Sequence, residues 1–161
     1  MTFLEAVEHI LELEGGFVAH PKDPGGNTNF GISQKSYPNL DIKNLTKSEA
    51  INIYLRDYWL PLRLDELPGS LRLCLFDCAV NQGTNVAIKF LQASLGTVVD
   101  GKIGPMTIFA AKSKSPQLVL INILKGRQLH YTKLSTWDAF GKGWSKRLLH
   151  IAILSLTQNA N

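Results

Sequence analysis

Apolar and polar residues follow one another with the period of helices along nearly the whole chain. Phe3, Val7, Ile10 and Leu11 recur three and four apart and draw a single apolar stripe, which Thr2 and Glu5 open in capping-box spacing. Thr46 and Glu49 repeat that spacing and predict a second helix reaching about residue 58, ahead of Pro61. Residues 70–80 are apolar on nearly all sides, the pattern of a buried central helix, interrupted by Asp77, Asn81 and Gln82 and ended by Gly83. Pro105 opens a further helix at its first turn, and amphipathic runs over 116–134 and 144–156 predict two more, joined by a loop over 137–143. Only 17–32 alternates in the manner of strands, and those are short. The expectation is a mainly α protein with a small lobe of loop and short strands.

Glu14 continues the apolar stripe of the first helix, and two glycines follow it in Glu14-Gly15-Gly16-Phe17. A carboxylate on the core-facing side of a helix has to be paired, solvated in a cleft or protonated, because burying a bare charge is very costly. Apolar surroundings and the negative end of the helix dipole both favour the protonated form that a general acid needs. The competing reading is a helix-end glutamate paired with a lysine or arginine. The glycines predict a helix end at positive φ and a carboxyl cleared of neighbouring bulk. The segment from His20 to Ile32 then gathers Asp23, Thr28 and two amides among prolines and glycines, a stiff polar loop able to fold back over the helix end. As an ordinary turn, Asp23 would merely cap backbone amides.

Together, Glu14-Gly15-Gly16-Phe17 and Asp23-Pro24-Gly25-Gly26-Asn27-Thr28-Asn29-Phe30-Gly31-Ile32 resemble the opening of phage-type lysozymes of glycoside hydrolase family 108. The resemblance extends through Tyr37-Pro38, Tyr54, Tyr58-Trp59 and Phe76-Asp77 to Asn81 and Gly83. It implies a lysozyme-like helical body with the loop lobe at the active site, and hydrolysis of the β-1,4 bond between N-acetylmuramic acid and N-acetylglucosamine in peptidoglycan. Glu14 maps onto the essential glutamate, and the wider phage lysozymes imply catalytic roles for Asp23 and Thr28, here one residue closer together than usual. Substrate contacts are expected at Phe17, Asn29, Phe30, Asn81 and Gln82. Phe17 stands where tyrosine is usual. In such chemistry an acid protonates the leaving oxygen while a second carboxylate or a held water meets the oxocarbenium-like centre.

The remaining composition narrows the partners. With 161 residues, 45% of them hydrophobic, the chain is too apolar to be disordered and fits one compact domain or two small lobes. The net charge of +4 suits an anionic wall, and the basic residues are too dispersed for a nucleic-acid arm. Cys74 and Cys78, one turn apart in an apolar run, read as two buried thiols. No zinc spacing, phosphate loop or Gly-x-Ser-x-Gly pattern occurs, so no cofactor or metal is expected. Glu5, Glu8 and Glu12 break any signal-peptide pattern, and no segment spans a membrane. The expectation is therefore a monomer made in the cytoplasm and delivered to the periplasmic wall by a holin or a secretion apparatus.

Beyond residue 88 the chain changes character. Phe90-Leu91-Gln92 and Val99-Asp100-Gly101-Lys102-Ile103-Gly104-Pro105 resemble the predicted peptidoglycan-binding region that follows family 108 catalytic segments. The division expected is 1–88 catalytic and 89–161 a helical lobe packed with it as one unit, with Trp144 and Arg147 either touching the wall or packing the last helix. A lytic transglycosylase acting on the same bond, or a noncatalytic wall-binding or secretion-accessory module, stand as the alternatives.

Overall fold

The computed structural model describes residues 1–18 and 26–157. Helix α1 (Phe3–Glu14) begins where Glu5 Oε2 accepts from the Thr2 N–H at 2.7 Å and Thr2 Oγ1 accepts from the Glu5 N–H at 3.4 Å. The same reciprocal box, Thr46 with Glu49, opens α2 (Lys47–Tyr54). That helix runs on into a π-helical turn, Leu55–Trp59, closed by the Leu60 N–H donating to the Leu55 carbonyl at 3.0 Å. Then come α3 (Gly69–Gln82), α4 (Thr84–Leu95), α5 (Pro105–Ser113), α6 (Pro116–Tyr131) and α7 (Trp137–Thr157). The strands β1 (Thr28–Asn29) and β2 (Ile32–Ser33) pair antiparallel, Thr28 opposite Ser33 and Asn29 opposite Ile32, and Val18 bridges to Thr28 on the other side. The described residues are mainly α with one small hairpin, as the periodicity predicts.

Helix α3 is the axis of the molecule. From Ser70 to Ala79 every residue except Arg72 is buried, and α1, α4, α6 and α7 pack around it. Phe76 anchors an aromatic cluster: Trp59 meets it edge-on at 5.3 Å, Tyr54 at 6.1 Å, and Phe3 packs on Trp59 at 5.3 Å. One apolar core extends from Ala6 in α1 to Ile151 in α7, and the expected boundary at 88/89 falls inside α4.

The last two helices differ from expectation. Residues 137–143 are not a loop but the first turns of α7, and α6 stops at Tyr131. The chain reverses instead over 132–136, where the Leu134 N–H donates to the Tyr131 carbonyl and the Trp137 N–H to the Leu134 carbonyl. Gly141 and Gly143 weaken helix propensity, which is why the segment reads as a loop. Packing overrides propensity: a Cβ on Gly141 would lie 2.5 Å from the Trp137 ring, so glycine lets the indole fold back along its own helix.

Cys74 and Cys78 are free and buried on α3. Burial pushes their thiols up to about 11 and about 12 respectively, and the thiolate is the reactive form. Native protein at pH 8 should therefore react negligibly with an aromatic disulfide reagent, and both thiols should react promptly in denaturant. Fast reaction of the folded protein would show that α3 is not the closed core described here.

Candidate active site

Helix α1 ends at Glu14 because Gly15 takes a φ of 77° and returns its N–H to the Leu11 carbonyl at 3.1 Å. The hairpin turn lies against this end. Phe30 and Gly31, its two loop residues, have φ of 50° and 76°, the positive pair that matches the twist of a two-residue hairpin. Glycine is required at the second position on two counts, since a Cβ there would stand 2.7 Å from Glu14 Cγ and 2.6 Å from Tyr54 Oη. Tyr54 donates its hydroxyl to the Phe30 carbonyl at 2.8 Å, holding a backbone conformation that disfavours an L-residue by roughly 1–2 kcal/mol. Burial, and then the nearby Glu14 charge, push the Tyr54 phenol well above its ordinary range, so it stays a neutral donor.

Glu14 also heads a chain of alternating charges. Its Oε1 accepts from Arg147 Nη1 at 2.7 Å, Arg147 Nε donates to Asp77 Oδ1 at 2.6 Å, and Asp77 Oδ2 accepts from Arg127 Nη2 at 2.6 Å. The Asp77 and Arg127 side chains are wholly buried, whereas those of Arg147 and Glu14 are 15% and 21% exposed. Arg127 further donates to Gln82 Oε1 at 3.1 Å, to the Cys74 carbonyl at 3.3 Å and to the Tyr131 hydroxyl at 3.0 Å. Burial is the largest single influence and works against both arginine charges, but Asp77 together with Cys78, Cys74 and Tyr131 outweighs it at Arg127, and Asp77 together with Glu14 outweighs it at Arg147, so both pKa values rise above the ordinary. In the amide orientation that satisfies both its polar atoms, Asn81 accepts from Arg147 Nε at 2.9 Å.

A cleft of about 660 Å³ opens beside this pair, lined by Glu14, Asn81, Trp144, Lys146, Arg147 and His150 among others. A slightly larger one, about 690 Å³, lies between residues 36–40 and α2, but its carboxylate, Glu49, is engaged in the Thr46 capping box. Glu14, by contrast, stands at a helix end that faces its cleft. A carboxyl group on a fixed helix end, open to a cleft on one side and gripped by a guanidinium on the other, is placed to give a proton to a bound leaving group. Among the described residues no group of His, Cys, Asp and Glu is arranged to hold a metal ion.

Comparison with known proteins gives the family. Residues 7–83 match the family described as Glycosyl hydrolase 108, and residues 86–149 the Predicted Peptidoglycan domain. Brucella abortus SagA, a solved structure, is 33% identical and superposes with a TM-score of 0.88, over 96% of this chain and 94% of that one. The chain belongs to glycosyl hydrolase family 108. No curated protein matches it. This family 108 member is thus a glycosidase that acts on peptidoglycan, at the cell wall. Among its described residues no helix is long and apolar enough to cross a membrane.

The structure sorts the residues singled out from the sequence. Glu14 has the arginine partner that the competing reading required, and it also lines the cleft. Asp23 lies outside the described residues. Thr28 sits in β1, its backbone paired with both Val18 and Ser33. Phe17 is exposed just before that bridge, Phe30 forms the turn against Tyr54, and Asn81 lines the cleft. Two expected substrate contacts are corrected. Asn29 is 7% exposed and spends its amide nitrogen on the Ile42 and Leu45 carbonyls, each at 3.2 Å, so it staples the hairpin to the following loop. Gln82 turns inward to Arg127, and its amide nitrogen is buried without a partner. Asp100, in the turn that resembles a wall-binding motif, accepts from Gln92 at 2.7 Å and from the Lys102 N–H at 2.9 Å, which makes it a turn brace. Arg147, which the sequence offers as a wall contact or a packing residue, instead pairs with Glu14 and Asp77, and Arg127 is not singled out by the sequence.

The glycine that clears space for Glu14 is Gly31. Nothing lies within 4 Å of a Cβ on Gly16. Gly31→Ala should destabilise the protein by about 1–3 kcal/mol through overpacking and positive φ, and should reduce wall lysis more than Gly16→Ala does. Melting curves and a turbidity assay on the two variants check this, and equal activities would refute the role given to the hairpin turn.

Proposed function

We propose that this protein is an N-acetylmuramidase that hydrolyses the β-1,4 bond between N-acetylmuramic acid and N-acetylglucosamine, with Glu14 as general acid. One observation carries the reading: Glu14 stands where a helix end, a hairpin turn and a guanidinium converge beside a cleft, in a family 108 chain. Glu14 enters the reaction protonated and gives its proton to the leaving oxygen, and the carboxylate this leaves is the ionised partner that Arg147 holds in the ion chain. Asp23 serves as the second carboxylate, and Thr28 orients the attacking water. Phe17 and Asn81 contact the sugar chain at the cleft. The two matched segments act as one unit, a monomeric endolysin or its prophage-derived descendant, brought to the periplasmic wall by a holin or a secretion apparatus.

Glu14→Gln should keep fold and wall binding while lowering the rate by about two to four orders of magnitude. Mass spectrometry of digested peptidoglycan gives the product: reducing N-acetylmuramic acid ends support the proposal. Anhydro-sugar ends would make the protein a lytic transglycosylase, and wall binding without release would make it a binding module. Asp23→Ala and Thr28→Ala should each lower kcat more than they raise KM, as groups acting in the transition state do. A change confined to KM would reassign them to substrate positioning.

A further inference from the structure

We propose that Asp77 and Arg127 are positioning residues for the reaction, acting on Glu14 through Arg147, so that the segment matching a peptidoglycan domain also supplies the two arginines of the ion chain that holds Glu14. Arg127 and Arg147 both lie within the 86–149 match, on α6 and α7, whereas Glu14 and Asp77 belong to the 7–83 match, on α1 and α3. Each Asp77 oxygen is committed to a different arginine, at 2.6 Å in both cases. Arg127 cannot rotate away from its share, because Gln82, the Cys74 carbonyl and the Tyr131 hydroxyl occupy its other donors. Its remaining neighbour, Tyr131, is held in turn by Trp144, stacked on it at 5.2 Å and one turn before Arg147 on the same helix.

The consequence is directional. Asp77 takes the Nε edge of the Arg147 guanidinium and thereby aims Nη1 at Glu14. Without the Asp77 charge, two buried arginines would face each other unscreened, and Arg147 would swing toward the open cleft. Arg127 balances the second Asp77 oxygen; without it that carboxylate would draw Arg147 inward and off Glu14. A displacement of about 1 Å at a catalytic group is enough to lose roughly 100-fold in rate. The segment that would otherwise be read as a separate wall anchor thus sets the geometry of the acid.

This proposal rests on the glycosidase reading above, and its test separates the two. Full-length wild type, Asp77→Asn, Arg147→Lys and the double variant are assayed for kcat and KM on solubilised peptidoglycan, with melting curves for each. Each single change should lower kcat by about 10- to 100-fold with little change in KM, and the double variant should be no slower than the slower single one, because both changes break the same path. A residue that merely holds the fold would give independent, multiplying losses, and that result, or losses confined to KM, overturns the proposal. If Asp77→Asn does not fold, Tyr131→Phe takes its place, loosening Arg127 while sparing both ion pairs. It should slow the wild type but have no effect in Arg147→Lys, and equal slowing in both backgrounds overturns the proposal. Wild-type protein that releases no sugar ends would sink the glycosidase reading itself, and this inference with it.

Discussion

A carboxylate taken fully out of water has to be answered by positive charge, and in this protein Asp77 is answered twice. The helix that carries it is the packing axis of the molecule, so the two arginines that satisfy it decide where α6 and α7 lie. Leaving either Asp77 or Arg127 unpaired would cost about 3–5 kcal/mol, which is a large share of the margin by which a domain this size stays folded. Apolar contacts alone would leave the helices free to slide along one another. The ion chain removes that freedom, because a guanidinium fork and a carboxylate fit in few relative orientations.

The Glu14 end of the ion chain depends on a second constraint, the absence of a side chain at Gly31. With it, the hairpin turn comes into contact with Glu14 and Tyr54, and the phenol fixes the turn through the Phe30 carbonyl. Asn29, the residue before that turn, ties the same hairpin to residues 42 and 45 from the buried side. Glu14 is thus held from three directions: by its own helix, by the turn and by Arg147. Among the described residues the open direction is the cleft, on the side of Asn81, Trp144 and His150.

Much of this was legible in the residues. Capping boxes place the starts of α1 and α2, the unbroken apolar run identifies α3, and glycines around a lone carboxylate on an apolar stripe single out Glu14. Long-range pairing was not legible. Asp77 lies 50 residues from Arg127 and 70 from Arg147, and no local spacing connects them. A signal did exist, since an acidic residue inside an apolar helix requires a cation. That argument demands a partner without saying which of the dispersed basic residues provides it. Asn29 and Gln82 read as cleft residues because amides beside a catalytic motif suit sugar recognition, yet amides suit backbone carbonyls and guanidinium groups equally well. The start of α7 was obscured by two glycines, one of which is present for the sake of the Trp137 ring.

The π-helical turn at Leu55–Trp59 bears on how this fold tolerates insertion and deletion. Residues five apart on a regular α-helix point about 140° away from each other, yet Tyr54 and Trp59 both pack on Phe76. The wider turn, equivalent to one residue inserted into a helix, is what brings them to one face. Deleting a single residue there would restore a regular helix and rotate Tyr54 relative to Trp59, so either the aromatic core or the hold on the hairpin would be lost. When relatives are aligned, a one-residue gap in this turn therefore marks a change in how the hairpin against Glu14 is supported, even where every residue around Glu14 is identical.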